Sequence, residues 1–379
     1  MSSKLKVAVI GAGYWGPNLI RNFSACPLTE VAAICDANPQ RLEAIARNYG
    51  HIRGVASLDE LLEMPLDAVA IATPVSTHFP IASRCLEAGL HVLVEKPLAG
   101  TVKESQALVE LASARERILM VDHTYLFNNA VRRVKALIDD GELGDLYYVD
   151  SIRINLGLFQ RDINVIWDLA PHDLSIVDYI LGGDARSISA WGCGHAEQDV
   201  EDMAYVNVDY GDRLMANFHV NWLSPVKIRQ MIFAGSRKSL VFNELNSTEP
   251  IKVYDRGIEL GEGTAERSRL LVGYRTGDVW SPYIDPGEAL QAVVSHFATC
   301  IRDGERPVSD GELGLRVVRM LEAASRSIKA QGGRVVLGGG VMGSGANGYG
   351  DARAERSGQR DQGRAGRPAG TRRDHALLR

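Results

Sequence analysis

Three polar residues of this chain have types suited to one reaction: Lys96, Asp168 and His172. Oxidising a secondary alcohol needs a base for the hydroxyl proton, a cation beside the oxygen as it gains charge, and a hydride acceptor. An imidazole, an ammonium group and a nicotinamide meet those needs. Lys96 falls near the end of His91-Val-Leu-Val-Glu-Lys-Pro97. The apolar part of that run reads as a buried strand, and Pro97 keeps it from continuing. In an open α/β sheet, ligands bind beyond the carboxyl ends of the strands. Lys96 is thereby delivered to a crevice, either as an ion-pair partner or as part of a reaction, and Glu95 reads as the partner that orients it. Asp168 and His172 belong to a helix expected over 168–181, stopped by Gly182-Gly183, with Pro171 in its first turn. There the positive end of the helix dipole disfavours imidazolium, leaving His172 able to accept a proton. Asp168 would orient His172 or bind a substrate hydroxyl. The same spacing is compatible with a plain helix start, Asp168 capping and His172 bonded to backbone.

The hydride acceptor needs a home, and the N-terminal sequence supplies one. Lys4 to Ile10 is an apolar strand that runs into Gly11-Ala-Gly-Tyr-Trp-Gly16 and then an amphipathic helix. Gly11 permits the tight turn, Gly13 lets backbone approach a pyrophosphate, and Gly16 lets helix and strand pack closely. The anion would rest on free N–H groups at the helix start, beside Tyr14 and Trp15. A second strand, Val31 to Cys35, ends in Asp36, an acid placed to accept the ribose hydroxyls of NAD and repel the 2′-phosphate of NADP. A helix-capping role for Asp36 fits the same position. Arg41, in the next helix, belongs with this cofactor site. Asp67 to Ala72 is a further strand ending at Thr73-Pro74, in a turn that faces the cofactor cleft. His78 is either a cleft residue near the nicotinamide ribose or a first-turn helix residue touching solvent. A last strand over 118–121 completes a doubly wound, parallel Rossmann domain over residues 1–122.

Residues 123–331 have a different texture: a helix, then strand-like segments at 146–154, 185–191, 203–209, 214–220, 228–233 and 239–242 joined by short turns. These predict an α+β domain with an open, mostly antiparallel mixed sheet, interrupted by the 168–181 helix and closed by helices over 287–302 and 312–330. The last begins at Ser309-Asp-Gly-Glu312, the spacing of a capping box. Arg153 and Asn155 alternate onto one strand face, either to bind substrate hydroxyls or an anionic group or as exposed sheet polars. His219 and Trp222 read as sheet-face residues. The segment 332–379 is rich in Gly and Arg, cannot bury a core, and reads as a disordered tail.

Composition narrows the class. With 45% hydrophobic and 23% charged residues the chain is ordinary for a globular protein, and a net charge of −5 gives no pull toward nucleic acid or membranes. The scattered five cysteines contain no CxxC pair; Cys193 with His195 alone is no metal site, and no metal is expected. No apolar run has the length of a membrane span, no signal-peptide core precedes the first strand, and a cytoplasmic protein is expected.

The motifs Gly11-Ala-Gly-Tyr-Trp-Gly16, Ala72-Thr-Pro74 with His78, Glu95-Lys-Pro97, and Asp168 with His172 resemble the glucose–fructose oxidoreductase / inositol dehydrogenase / MocA family over about residues 4–330. The resemblance implies an NAD-dependent dehydrogenase, with Lys96 between nicotinamide and substrate before a cis peptide to Pro97. It makes His172 the acid/base, and implies a C-terminal sheet used for homodimer or homotetramer contacts. Two stretches depart from the simple inositol dehydrogenases: Asn164-Val-Ile-Trp-Asp168 in place of a glycine-rich lead-in, and Asp122-His-Thr-Tyr125. With Arg153 and Asn155 they are similar to the branch acting on nucleotide-linked or amino sugars, which adds Tyr125 and Trp167 to the candidate substrate residues. The implied reaction oxidises a ring hydroxyl, plausibly at C3, of a small sugar-like molecule, or runs in reverse. The alternatives are an inositol or aminocyclitol dehydrogenase and, in another class, a non-catalytic NAD-binding regulator. Binding alone needs none of Lys96, Asp168 and His172.

Overall fold

The computed structural model describes residues 4–157, 159, 163–183, 185–260 and 272–338. Its first six strands are β1 (Leu5–Ile10), β2 (Thr29–Cys35), β3 (Arg53–Val55), β4 (Ala68–Ile71), β5 (His91–Glu95) and β6 (Leu119–Asp122). They form one parallel sheet in the order β3-β2-β1-β4-β5-β6. Helices α1 (Gly16–Ala25), α2 (Pro39–Asn48), α3 (Leu58–Leu62), α4 (His78–Glu87) and α5 (Val102–Ala114) connect them. The near-continuous apolar strands follow from cover on both faces. Along β1, Val7 and Val9 enter one core while Ala8 and Ile10 enter another. The strand order reverses between β1 and β4, and their carboxyl ends open the crevice where such sheets bind ligands.

After α6 (Asn129–Asp139) the chain builds a second sheet from β7 (Leu146–Leu156), β8 (Ser187–Cys193), β9 (Met203–Gly211), β10 (Leu214–Asn221), β11 (Leu223–Gly235), β12 (Ser239–Asn243), β13 (Ile251–Leu260), β14 (Val272–Trp280) and β15 (Val335–Val336). Their order is β14-β13-β12-β11-β7-β10-β9-β8-β15. Neighbours are antiparallel except β7 and β10, which run parallel because α7 (Val165–Leu181), β8 and β9 intervene and return the chain in the same direction. One face carries Phe218, Val220 and Trp222 into the core; the other leaves Tyr148, Trp191, Tyr205 and Met215 exposed. His219 stacks on Tyr205 on that exposed face, with ring centroids 4.3 Å apart.

Two closing helices, α8 (Ala289–Asp303) and α9 (Gly311–Lys329), join the sheets. A Cβ at Gly314 would press on Val121 of β6 at 2.6 Å, so glycine lets α9 sit directly on the first sheet. On the second-sheet side, Ser327 of α9 donates to nothing in β8 but accepts the Ala190 N–H at 2.8 Å. The helix is capped by Asp310, which accepts from Leu313 N–H, and not by Ser309. The expectation of disorder from residue 332 is corrected at its start: β15 pairs with β8, and Arg334 reaches Asp209 at 3.0 Å. From residue 339 onward that expectation lies outside the described residues. Among the described residues no helix is long and apolar enough to cross a membrane.

Candidate active site

Three turns at the carboxyl ends of β1, β2 and β4 make a cradle for a dinucleotide. Gly11 has φ +96°, and a Cβ there would stand 2.6 Å from the Ala72 carbonyl oxygen. A Cβ at Gly16 would enter the carbonyl of Gly11. At Gly13 the nearest atom is Arg41 Nη1, 3.8 Å away, so this backbone alone stays open to a ligand. The N–H groups of Gly13, Tyr14 and Trp15 donate to no described group, and α1 begins at Gly16. Open backbone, free N–H groups and a helix start fit a pyrophosphate. Tyr14 and Trp15 project from the same loop, 84% and 42% exposed, edge to face at 5.7 Å.

Asp36 follows β2 and is buried. Its Oδ2 accepts the Ala12 N–H at 2.7 Å and its Oδ1 the Asn38 N–H at 2.8 Å, while Arg41 Nη1 lies 3.5 Å off. The carboxylate therefore braces the glycine turn as well as facing the cradle. The cap of α2 is Asn38, which accepts from Gln40 N–H, so Asp36 has no capping role. Thr73 accepts from the Thr77 hydroxyl at 2.8 Å, and Pro74 precedes the short turn that leads into α4. His78 takes neither expected form. It is 1% exposed, with Nδ1 2.9 Å from Pro97 O and Nε2 2.9 Å from Thr73 O, and so ties the turn after β4 to the turn after β5. Burial pushes its imidazole below the ordinary range.

The Lys96–Pro97 peptide is cis. Lys96 Nζ donates to the Asp168 carbonyl at 2.8 Å and lies 3.5 Å from Asp168 Oδ1. Asp168 Oδ2 accepts the indole N–H of Trp222 at 3.0 Å. Glu95 is corrected: its carboxyl makes no side-chain bond to the Lys96 ammonium, which bonds Asp168. It lies buried opposite Asp122 on β6, its side chain bonded to that residue.

The helix bearing Asp168 and His172 starts earlier than expected. Asn164 caps it by accepting from Trp167 N–H at 3.1 Å, and its own amide donates to Glu201 at 2.8 Å. Pro171 thus lies inside α7, not in its first turn, and His172 is two turns in, beyond the reach of the helix dipole. His172 is still held well below the usual imidazole range, first by burial and then by Lys96 and Arg153. Its Nδ1 is sealed off with no partner, and its ring meets the edge of Tyr125 at 5.0 Å. The neutral form stands; its cause is the pocket and not the helix end.

Arg153 is corrected as well. It is 3% exposed, bonded through Nε (2.9 Å) and Nη2 (2.6 Å) to Asp173, and stacked 4.8 Å over Tyr125. A guanidinium so enclosed needs its carboxylate, and it is neither a free substrate ligand nor an exposed sheet residue. Opposite it in register, Arg229 donates to Glu244 at 2.6 Å and to the Tyr125 hydroxyl at 3.3 Å, and the Tyr125 hydroxyl donates to Glu244 at 2.8 Å. Arg229 Nε has no partner. Asn155, half-buried on the same strand face, makes no hydrogen bond among the described residues. Trp167 gives its indole N–H to Ser325 of α9 at 3.0 Å. Trp222, expected on a sheet face only, is 2% exposed and holds Asp168. Asp173, Arg229 and Glu244 went unrecognised in the sequence; the alternation of Lys227, Arg229 and Met231 along β11 was the one available signal.

The comparisons agree with this architecture. A model of the oxidoreductase family with an NAD-binding Rossmann fold, Gfo/Idh/MocA, matches residues 5–123, and the C-terminal domain model of the same family matches residues 131–241. The chain is 30% identical over 319 residues to a UDP-N-acetylglucosamine 3-dehydrogenase of Acidithiobacillus ferrooxidans, covering 83% of this chain and 94% of the relative. It is 30% identical to the scyllo-inositol 2-dehydrogenase (NAD(+)) of Bacillus subtilis, covering 81% and 89%. A solved structure of the A. ferrooxidans enzyme superposes with TM-score 0.73 at 26% identity, covering 87% of this chain and 99% of that one. With the glycine cradle, the Lys96 strand end and both halves matched, the chain belongs to the Gfo/Idh/MocA family and is an NAD-dependent oxidoreductase of CH–OH groups.

Proposed function

We propose that the chain oxidises a secondary ring hydroxyl, at C3, of a nucleotide-linked or amino sugar to a ketone, or catalyses the reverse reduction. The observation that carries this is the meeting of Lys96, at the end of β5, with Asp168 and His172 of α7 beside the cofactor cradle. NAD, when bound, takes up or returns the hydride. His172 is the neutral base that removes the hydroxyl proton. Lys96 stabilises the oxygen as negative charge grows on it, and Asp168, braced by Trp222, fixes the ammonium in place. Arg229, its side chain 25% exposed, and Asn155 have donors left for the remainder of the substrate, while Arg153 and Asp173 stiffen the wall behind Tyr125.

The A. ferrooxidans relative favours the nucleotide-sugar reading, and the B. subtilis relative, at the same identity, favours a cyclitol. A panel of UDP-N-acetylglucosamine, other nucleotide sugars, free sugars and scyllo-inositol with NAD separates them by NADH formation. Turnover of scyllo-inositol alone would sink the nucleotide-sugar reading. Turnover of nothing, with NAD still bound, would favour a regulator. We further infer a homodimer or homotetramer joined through the exposed sheet face of Tyr148, Tyr205 and Met215, which light scattering of the purified chain tests.

A further inference from the structure

At the carboxyl ends of β5 and β6, Glu95 and Asp122 are register partners, 9% and 1% exposed. Asp122 Oδ1 accepts from the Thr124 hydroxyl at 2.7 Å, whereas its Oδ2 has no donor while Glu95 is ionised. No other side chain among the described residues donates to Glu95. Two bonded carboxylates, removed from water and served only by the Thr124 hydroxyl and the Lys96 backbone N–H, do not both carry charge. Burial first and Asp122 second push the Glu95 carboxyl well above the usual range. Burial raises Asp122 too, but the bonds from Thr124 and Glu95 oppose it, so the proton belongs to Glu95 and the charge to Asp122.

Among the described residues, Lys96 is the cation that acts on this pair. Lys96 follows Glu95 directly and acts on its carboxyl electrostatically. His123, beside Asp122, is pushed down to about 3 by burial and Lys96, and both its ring nitrogens lack partners. His78 from α4 and His172 from α7 are also held neutral by burial. From the α9 side, Asp310 is engaged in capping, and Ser309 brings its carbonyl to the Val121 N–H at 2.8 Å. Asp168 on α7 is the other anion at Lys96.

We propose that Glu95 and Asp122 share one proton and form a singly charged carboxyl pair whose one negative charge acts on Lys96. They are positioning residues, one layer beneath the reacting atoms. The pair takes the catalytic role of Lys96 from the function proposed above, but the sharing itself can be observed without a substrate.

Infrared difference spectroscopy of the NAD-loaded protein in H2O and D2O reads the shared proton directly. The wild type is expected to show a protonated carboxyl C=O band at neutral pH. Glu95→Gln replaces the protonated acid by an amide that still bonds the Asp122 carboxylate, so it loses the band and keeps the single charge, while Asp122→Asn leaves an amide to bond Glu95. Each single change should cost activity no more than about fivefold, the scale of one altered hydrogen bond. The double variant removes the charge and should fall at least about tenfold below the product of the singles. Absence of the band in the wild type, or its survival in Glu95→Gln, overturns the proposal. So does a double variant that equals the product of the singles. If the double variant does not fold, the spectra of the wild type and the singles still decide. Activity is read with whichever panel substrate is turned over; a wrong substrate class therefore leaves the infrared result intact.

Discussion

The cofactor side and the substrate side of the crevice are built on different principles. The cofactor side is backbone: Gly11, Gly13 and Gly16 shape the turn, and Asp36 braces it within one βαβ unit. The substrate side is side chains gathered from far apart in sequence. Lys96 on β5 meets Asp168 on α7, Asp168 meets Trp222 after β10, and Tyr125 meets Glu244 after β12. A backbone site tolerates almost no added volume, whereas a side-chain site tolerates shape changes but not loss of a charge partner.

The sharpest break in this comparison is Lys96→Ala. It should lower kcat/KM by about a thousandfold with NAD affinity little changed, as for loss of one preorganised group at a developing oxyanion. Equal losses in both would place Lys96 on the cofactor side. Next, Arg153→Ala should cost about 3–5 kcal/mol in chemical denaturation, because it strands Asp173 at 2% side-chain exposure. If stability held and only KM rose, Arg153 would contact substrate after all. Gly16→Ala tests the opposite side: titration with NAD should show binding lost by at least about tenfold while the second sheet stays folded. Asp36→Ala should narrow the preference for NAD over NADP by roughly tenfold, about 1.4 kcal/mol. An unchanged ratio would leave Asp36 only its structural bond to Ala12.

A last effect is read in acid. His123 titrates near 6.5 when unfolded and is held at about 3 when folded, so the unfolded chain binds the proton first. Its contribution is present above about pH 6.5 and is lost as pH falls toward 3, with a slope of about 1.4 kcal/mol per pH unit. His123→Phe should flatten that slope, and an unchanged acid limb would assign it to His78 or His172.

The difference between the two sides also explains what was legible. The glycine spacing, the strand running into Lys96 and the pairing of Asp168 with His172 are local patterns, and the structure brings all of them to one crevice. Pro171 reads as a first-turn residue, yet Asn164 caps α7 two turns earlier. Arg153 looked like a strand polar because alternation reports a face and not what covers it. Glu95 reads from sequence as the partner of its chain neighbour, whereas its side-chain partner is Asp122 one strand over.

The sequence by itself determined the Rossmann half, the NAD cradle, the family and the three chemical groups of the proposed reaction, because each rests on spacing within one turn, strand or helix. Only the tertiary structure decided which charges are neutralised, as in Arg153 with Asp173, Lys96 with Asp168 and Glu95 with Asp122. Those pairings depend on strand order and burial, and removal from water makes a carboxylate or guanidinium answer to its neighbours in space, wherever they stand along the chain.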